Sequence, residues 1–354
     1  MKIRAITLWL SLSLGTLGCG AKAVDLDGPI IESSSEPGVL AVVRERVEKI
    51  AVDEQRLYWI GTQLPRAYPK NVWFLRSCQK QACATTLITY DEQATRGVDG
   101  TSIFSVKDGQ IYWFNLTSRE LLACPVSGCD GPPRRVASGL DFSGAAFADD
   151  RFLFADGESI ESVPLQADSR VRDAYSPLMS ATIAIRGNYV YWLATRTDIG
   201  RARTDGSSGV ETVTSDVRVA DEPAFGLTTD ASAIYWTDNL LSGSIKRCPL
   251  AGCTVAPEKV IGPLRAPQSL LIDGSELYYE YETKPYEYAL ASCSLPTCAS
   301  APPLIEHVDA PGVLALDDQY LYVATTEQDV SPDNFAVDTI AQIRRLPKPK
   351  RELP

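Results

Sequence analysis

Seven copies of an apolar-aromatic triplet, a near-constant spacing between them and four identically spaced cysteine pairs predict an all-β fold. The expected architecture is a seven-bladed β-propeller of four-stranded antiparallel blades. The triplets are LYW at 57–59, IYW at 111–113, FLF at 152–154, VYW at 190–192, IYW at 234–236, LYY at 277–279 and LYV at 321–323. Their centres lie 54, 41, 38, 44, 43 and 44 residues apart, a period that suits four strands per unit. The weak third copy leaves counts of six and eight blades open.

Within each copy a short apolar run comes first and ends on a turn residue, as in KIAVD at 49–53 and VLALD at 313–317. Asp53, Asp230, Asp273 and Asp317 each stand five residues before a central tyrosine. Aspartate at such a point starts a tight turn by accepting backbone N–H groups with its own side chain. The triplet then opens a second strand. A third follows after a variable loop, as in SIKRCPL at 244–250, and a shorter fourth completes the unit, as in EKVIG at 258–262. Aromatic and β-branched residues occupy both alternating positions of the second strands, so those strands are buried on both faces. Blades packed between two neighbours meet that condition. The last copy lacks a fourth strand, and VLAVVRE at 39–45 is left unmatched at the other end. Pairing the two would bury two sheet edges and close the ring. The propeller is therefore expected over 39–346, with 347–354 as a tail.

The stretch IYWTDNLLSGSIKR resembles the YWTD repeat of the low-density lipoprotein receptor propeller family, and Tyr235, Trp236, Thr237 and Asp238 match its signature in full. The other copies keep mainly the aromatic pair, and that family usually builds six blades. The resemblance implies a propeller and says little about function, since propellers carry binding and enzymatic roles alike.

The N-terminus reads as a targeting segment. Lys2 and Arg4 precede the apolar run at 5–17, and TLGC ends at Cys19. A small residue followed by Cys resembles the bacterial lipobox, with Thr16 where an aliphatic residue is usual. The expectation is a signal peptide at 1–18, a lipidated Cys19 and a flexible polar tether over 19–38. That places the protein in the bacterial cell envelope, membrane-anchored and facing periplasm or cell surface.

The other eight cysteines form four CxxxxC pairs: Cys78 with Cys83, Cys124 with Cys129, Cys248 with Cys253 and Cys293 with Cys298. All four sit where the third strand turns into the fourth. The remaining copies carry Val163, Ala202 and Leu346 at the first position and Asp168, Ser207 and Arg351 at the second. Both cysteines are present or both are absent, as expected of residues that bond to each other. An oxidising envelope favours disulfides, whereas metal binding would need pairs on separate blades to converge without a nearby histidine.

Forty-five acidic residues against 34 basic ones give a net charge of −11, which disfavours nucleic acid as a partner. His307 is the single histidine and falls in an outer strand. No zinc-protease helix, phosphate-cradling loop, nucleophile elbow or helix-loop-helix calcium motif is present. Two readings stand: a monomeric, non-catalytic module binding a protein or glycan, and a metal-assisted hydrolase or lyase using carboxylates at the channel mouth. The innermost strands show no internal Asp or Glu over KIAV, SIFSV, AAFA, TIAI, FGLTT, SLLI and VLAL, which favours the binder. Recognition is expected on the long second-to-third loops at 61–71, 281–288 and 325–339. These offer Arg66, Tyr68, Lys70, Lys284 and Tyr286, then Glu327, Asp329, Asp333, Asn334 and Asp338. Tyrosine with arginine suits a protein or sugar interface. The acidic group could instead hold a divalent cation. No other cofactor is expected.

Overall fold

The computed structural model describes residues 31–348, apart from 33, 64–70, 96–102, 116, 141–143, 149, 156–158, 167–170, 176–182, 194–197, 206, 216–225, 239–240, 286, 297, 299–301, 309–312 and 331–336. Seven antiparallel sheets follow one another along the chain. Blade 1 consists of Arg46–Val52, Arg56–Gln63, Asn71–Gln79 and Ile88–Thr95. Blade 2 is Phe104–Lys107, Gln110–Asn115, Glu120–Pro125 and Arg134–Ser138. Blade 3 is Gly144–Phe147, Arg151–Ala155, Ser159–Pro164 and Val171–Tyr175. Blade 4 is Ile183–Arg186, Tyr189–Leu193, Ile199–Arg203 and Glu211–Thr214. Blade 5 is Leu227–Thr229, Ala233–Asp238, Gly243–Pro249 and Glu258–Leu264. Blade 6 is Gln268–Asp273, Glu276–Lys284, Glu287–Ser294 and Ile305–Val308. Blade 7 takes Val313–Leu316, Tyr320–Val330 and Val337–Pro347 from the end of the chain and Val39–Val43 from its beginning.

That last pairing closes the ring. Val43 lies opposite Ala341 and Val39 opposite Arg344, so the N-terminal strand covers the edge of Val337–Pro347. The innermost strand of blade 7 also adjoins that of blade 1. One expectation needs correcting here. The polar stretch before residue 39 is not tether throughout, because Ile31–Glu32 adds a fifth strand, with Ile31 opposite Val43. Ile31 is only 5% exposed, and burying it supplies the apolar contact that holds so short an edge strand.

The triplets are buried on both faces because each face meets a different blade. Leu57 and Trp59 pack with Ala315, Tyr322 and Ile343 of blade 7. Tyr58 and Ile60 pack with Phe104, Ile111 and Trp113 of blade 2. A buried Trp or Tyr hides about 150–250 Å², or roughly 4–6 kcal/mol of gross transfer free energy. Such side chains recur at every inter-blade seam.

Two of the expected loops are largely strand. Residues 325–330 and 337–339 belong to two eleven-residue strands, paired from Tyr320↔Pro347 out to Val330↔Val337. Residues 281–284 and 287–288 likewise extend paired strands, with Lys284 opposite Glu287. In both, consecutive polar residues such as Thr325 to Asp329 carry no apolar period that would mark a strand in the sequence.

Candidate functional site

The two faces of the propeller are built differently. On one face lie the turns between first and second strands and those between third and fourth strands. One backbone bond recurs in all seven blades, from the residue just past the third strand to the first-to-second turn. Lys80 N–H donates to Gln55 O, Val126 to Gly109, Leu165 to Asp150, Thr204 to Asn188, Leu250 to Ser232, Leu295 to Ser275 and Lys348 to Gln319, at 2.6–3.1 Å. Each donor stands two residues beyond the first cysteine position.

The aspartates five residues before tyrosine do more than start turns. Asp53 Oδ1 accepts the N–H groups of Gln55 and Arg56, while Oδ2 accepts the Tyr58 hydroxyl at 2.6 Å. Asp230 treats Ser232, Ala233 and Tyr235 in the same way, and Asp317 treats Gln319, Tyr320 and Tyr322. Burial opposes ionisation of Asp317, but Lys80, the Tyr322 hydroxyl and the two turn N–H groups outweigh it and hold its carboxyl well below the usual range. Asp230 is lowered on the same balance, burial being outweighed by Tyr235, Ser232 and Ala233. Burial, reinforced by Asp230, pushes the Tyr235 hydroxyl up to about 12.

All four CxxxxC pairs are disulfides, with Cα atoms 4.7–5.4 Å apart. Each second cysteine packs toward the fourth strand of the preceding blade: Cys83 toward Ala41 and Val43, Cys129 toward Ile88, Cys253 toward Val213, and Cys298 toward Val260. The Cys253 N–H also donates to Val213 O at 2.9 Å. In unbridged blade 4 a hydrogen-bonded turn takes the place of the disulfide, with Asp205 accepting both the N–H and the hydroxyl of Ser207.

The YWTD residues have local structural tasks. Tyr235 reaches Asp230, and the Thr237 hydroxyl oxygen accepts the Gly226 N–H at 3.1 Å. Buried Asp238 accepts the Ser244 N–H and hydroxyl and pairs with Lys246 at 3.3 Å. The motif thus stitches the second strand to the first and third.

The channel-lining strands carry a correction. The first strand of blade 1 begins at Arg46, so it includes Glu48, an internal carboxylate that a strand starting at Lys49 leaves out. Glu48 falls at a bulge between Val47 and Lys49. Burial raises its carboxyl, against the lowering effects of Arg46 and a Thr62 hydrogen bond. Burial also lowers the neighbouring Lys49 amine to about 8. Interior positions of the other six innermost strands bring no second carboxylate beside Glu48. Among the described residues, no group of three or more His, Cys, Asp or Glu side chains converges.

The second-to-third hairpins project from the opposite face. Lys284 is exposed there and pairs with Glu287 at 3.1 Å. The register sets Asp329 directly opposite Asp338, with Glu327 opposite Ile340. Arg66, Tyr68, Lys70, Tyr286, Asp333 and Asn334, like Cys19, lie outside the described residues. His307 lies in the outermost strand of blade 6.

The fold itself is shared with solved structures. The computationally designed Ika8 protein matches with a TM-score of 0.56 at 9% identity, covering 87% of this chain and 98% of that one. The WD40 β-propeller domain of Doa1 matches with 0.53 at 10% identity, covering 86% and 95%. A prolyl endopeptidase matches with 0.52 at 12% identity, covering 85% of this chain and 50% of that one, so this chain spans half of the peptidase. The likeness is one of fold. No protein-family model matches the sequence, and no curated protein does.

Proposed function

We propose that this chain is a YWTD-type propeller lipoprotein of the bacterial envelope that binds a protein or glycan partner without catalysis. The asymmetry between the two faces carries this reading. One face is tied down seven times by the same backbone bond and four times by disulfides. The other projects hairpins of unequal length and differing chemistry, the longest being the Tyr320–Val330 and Val337–Pro347 pair. A rigid scaffold presenting variable loops is the usual arrangement of a recognition surface. The charged n-region, short apolar run and Cys19 support lipid anchoring.

The test is affinity capture from envelope extract using the lipidated protein tagged at its C-terminus. Charge reversal of Lys70, Lys284, Glu327 and Asp329 should abolish recovery of a specific partner. Recovery unaffected by those changes would refute the placement.

A further inference from the structure

The four disulfides share one position in the repeat, yet their surroundings differ. The first cysteine of every bridge is buried, Cys78 and Cys248 fully and Cys124 and Cys293 nearly so. The second cysteines are not alike. Cys83 is 4% exposed and packs toward Ala41 and Val43 of the closing strand. Cys129, Cys253 and Cys298 are only partly buried. Of these, Cys253 borders an open cavity of about 480 Å³, whose wall also includes Ser232, Cys248, Pro249, Thr254 and Val255. None of the other six bridge cysteines lies on that wall. The volume is in the range of small-molecule sites. Thr254 and Val255 follow Cys253 directly and are exposed, Val255 by 79%, so the cavity opens to solvent beside the bridge.

A disulfide exchanges when a thiolate attacks one of its sulfurs and the other sulfur departs. With attack on the second cysteine, the departing sulfur at all four bridges is a buried first cysteine, so the leaving group does not separate them. Access to the second sulfur does. A thiol held in a cavity against its target reacts within one complex instead of by chance encounter, which raises the rate of attack. We infer that Cys248–Cys253 is a thiol-exchange site, at which a small thiol occupying the blade 5 cavity attacks the Cys253 sulfur. The thiolate forms a new S–S bond with Cys253, the Cys248–Cys253 bond breaks, and Cys248 leaves as a thiolate that takes up a proton. A second thiol then displaces the first from Cys253. The net change reduces one protein disulfide to two thiols and oxidises two small thiols to their disulfide.

Opening this bridge acts on blade 4. The Cys253 N–H donates to Val213 O, in the fourth strand of blade 4, at 2.9 Å. Gly252, at φ +108°, packs so close to the same oxygen that a Cβ there would stand 3.2 Å from it. The bridge holds the turn that presents this N–H, so exchange loosens the tie between blades 4 and 5. The site lies on the tied-down face and depends on neither the lipid anchor nor a partner of the hairpins.

The test is differential alkylation of the full-length protein in detergent, incubated with reduced glutathione without denaturant and read by peptide mass spectrometry at low conversion. Cys248–Cys253 should open about fivefold faster than Cys124–Cys129 and Cys293–Cys298, with Cys78–Cys83 the slowest and the glutathionyl adduct on Cys253. Thr254→Trp, at an exposed position on the cavity wall, should slow that bridge to the rate of Cys124–Cys129 and Cys293–Cys298 while leaving the other three unchanged. Hydrogen exchange at the Cys253 amide should rise once the bridge is open, while blade 1 peptides stay protected. Equal rates at the bridges of blades 2, 5 and 6, another bridge opening first, an adduct confined to Cys248, no effect of Thr254→Trp, or unchanged exchange at Cys253 would overturn the proposal.

Discussion

Glu45 and Arg76 form a buried ion pair at the point where the closing strand hands the chain to blade 1, and breaking it should loosen the ring at its seam. Glu45 is fully buried and Arg76 is 2% exposed. Trp59 Nε1 donates to Glu45 Oε2 at 3.2 Å, and the Arg76 guanidinium lies 3.8 Å over the Phe74 ring. Gly61 makes room for the carboxylate, since a Cβ there would collide with Glu45. Removing one partner strands a charge in the interior, which costs about 3–5 kcal/mol. An unfolding entropy of about 2 cal/mol/K per residue converts that to a fall of about 5–8 °C in Tm for a domain of this size. Glu45→Ala and Arg76→Met should each show it by calorimetry. The double variant Glu45→Leu with Arg76→Met should lose less than either alone, because no unpaired charge remains. Single variants within 1 °C of the parent, or a double variant whose loss equals the sum of the two, would refute the reasoning.

Four other outcomes are expected. Replacing Cys248 and Cys253 by alanine together should cost about 2 kcal/mol, the loop-closure value for so short a ring, and non-reducing peptide mapping of the parent should find only the four local links. Asp230 and Asp317 have depressed carboxyls, so their stabilisation is complete above the unfolded pKa of about 3.9 and lost as pH falls below it; Asp317→Asn should flatten the acid limb of a Tm–pH curve. Lys49 is lowered to about 8, so the penalty for charging it is full below pH 8 and relieved as pH rises toward about 10.4; Lys49→Met should raise Tm more at pH 7 than at pH 10.5. Cys19→Ser should release the protein from membranes on cell fractionation, since each buried acyl methylene contributes about 0.8 kcal/mol to anchoring.

The repeat was legible because its markers are local. A buried aromatic triplet, an aspartate five residues earlier and a cysteine pair across a tight turn each depend on neighbours close in the chain. The closing strand was legible from an imbalance, an apolar segment without a partner at one end and a three-stranded unit at the other. Ile31–Glu32 was not, because two residues hold no period and the Ser-Glu-Pro stretch beside them reads as linker. The strands that pair Asp329 with Asp338 were read as a loop because the run Thr325 to Asp329 is polar at every position and holds no strand period. Glu48 was missed because a bulge shifts the strand's start. The Glu45–Arg76 pair and the bonds from Arg201 to the Leu250 carbonyl and from Arg134 to the Leu165 carbonyl draw on partners distant in the chain, two of them backbone oxygens that leave no trace in residue identity.

Lysine-directed crosslinking in intact cells, read by mass spectrometry, tests the working surface most directly. Lys284 stands on a second-to-third hairpin, and Lys70 falls in the corresponding stretch of blade 1, whereas Lys107 and Lys259 flank the tied-down turns. Links to an envelope partner should appear at Lys70 and Lys284. Partner links confined to Lys107 and Lys259 would contradict the account.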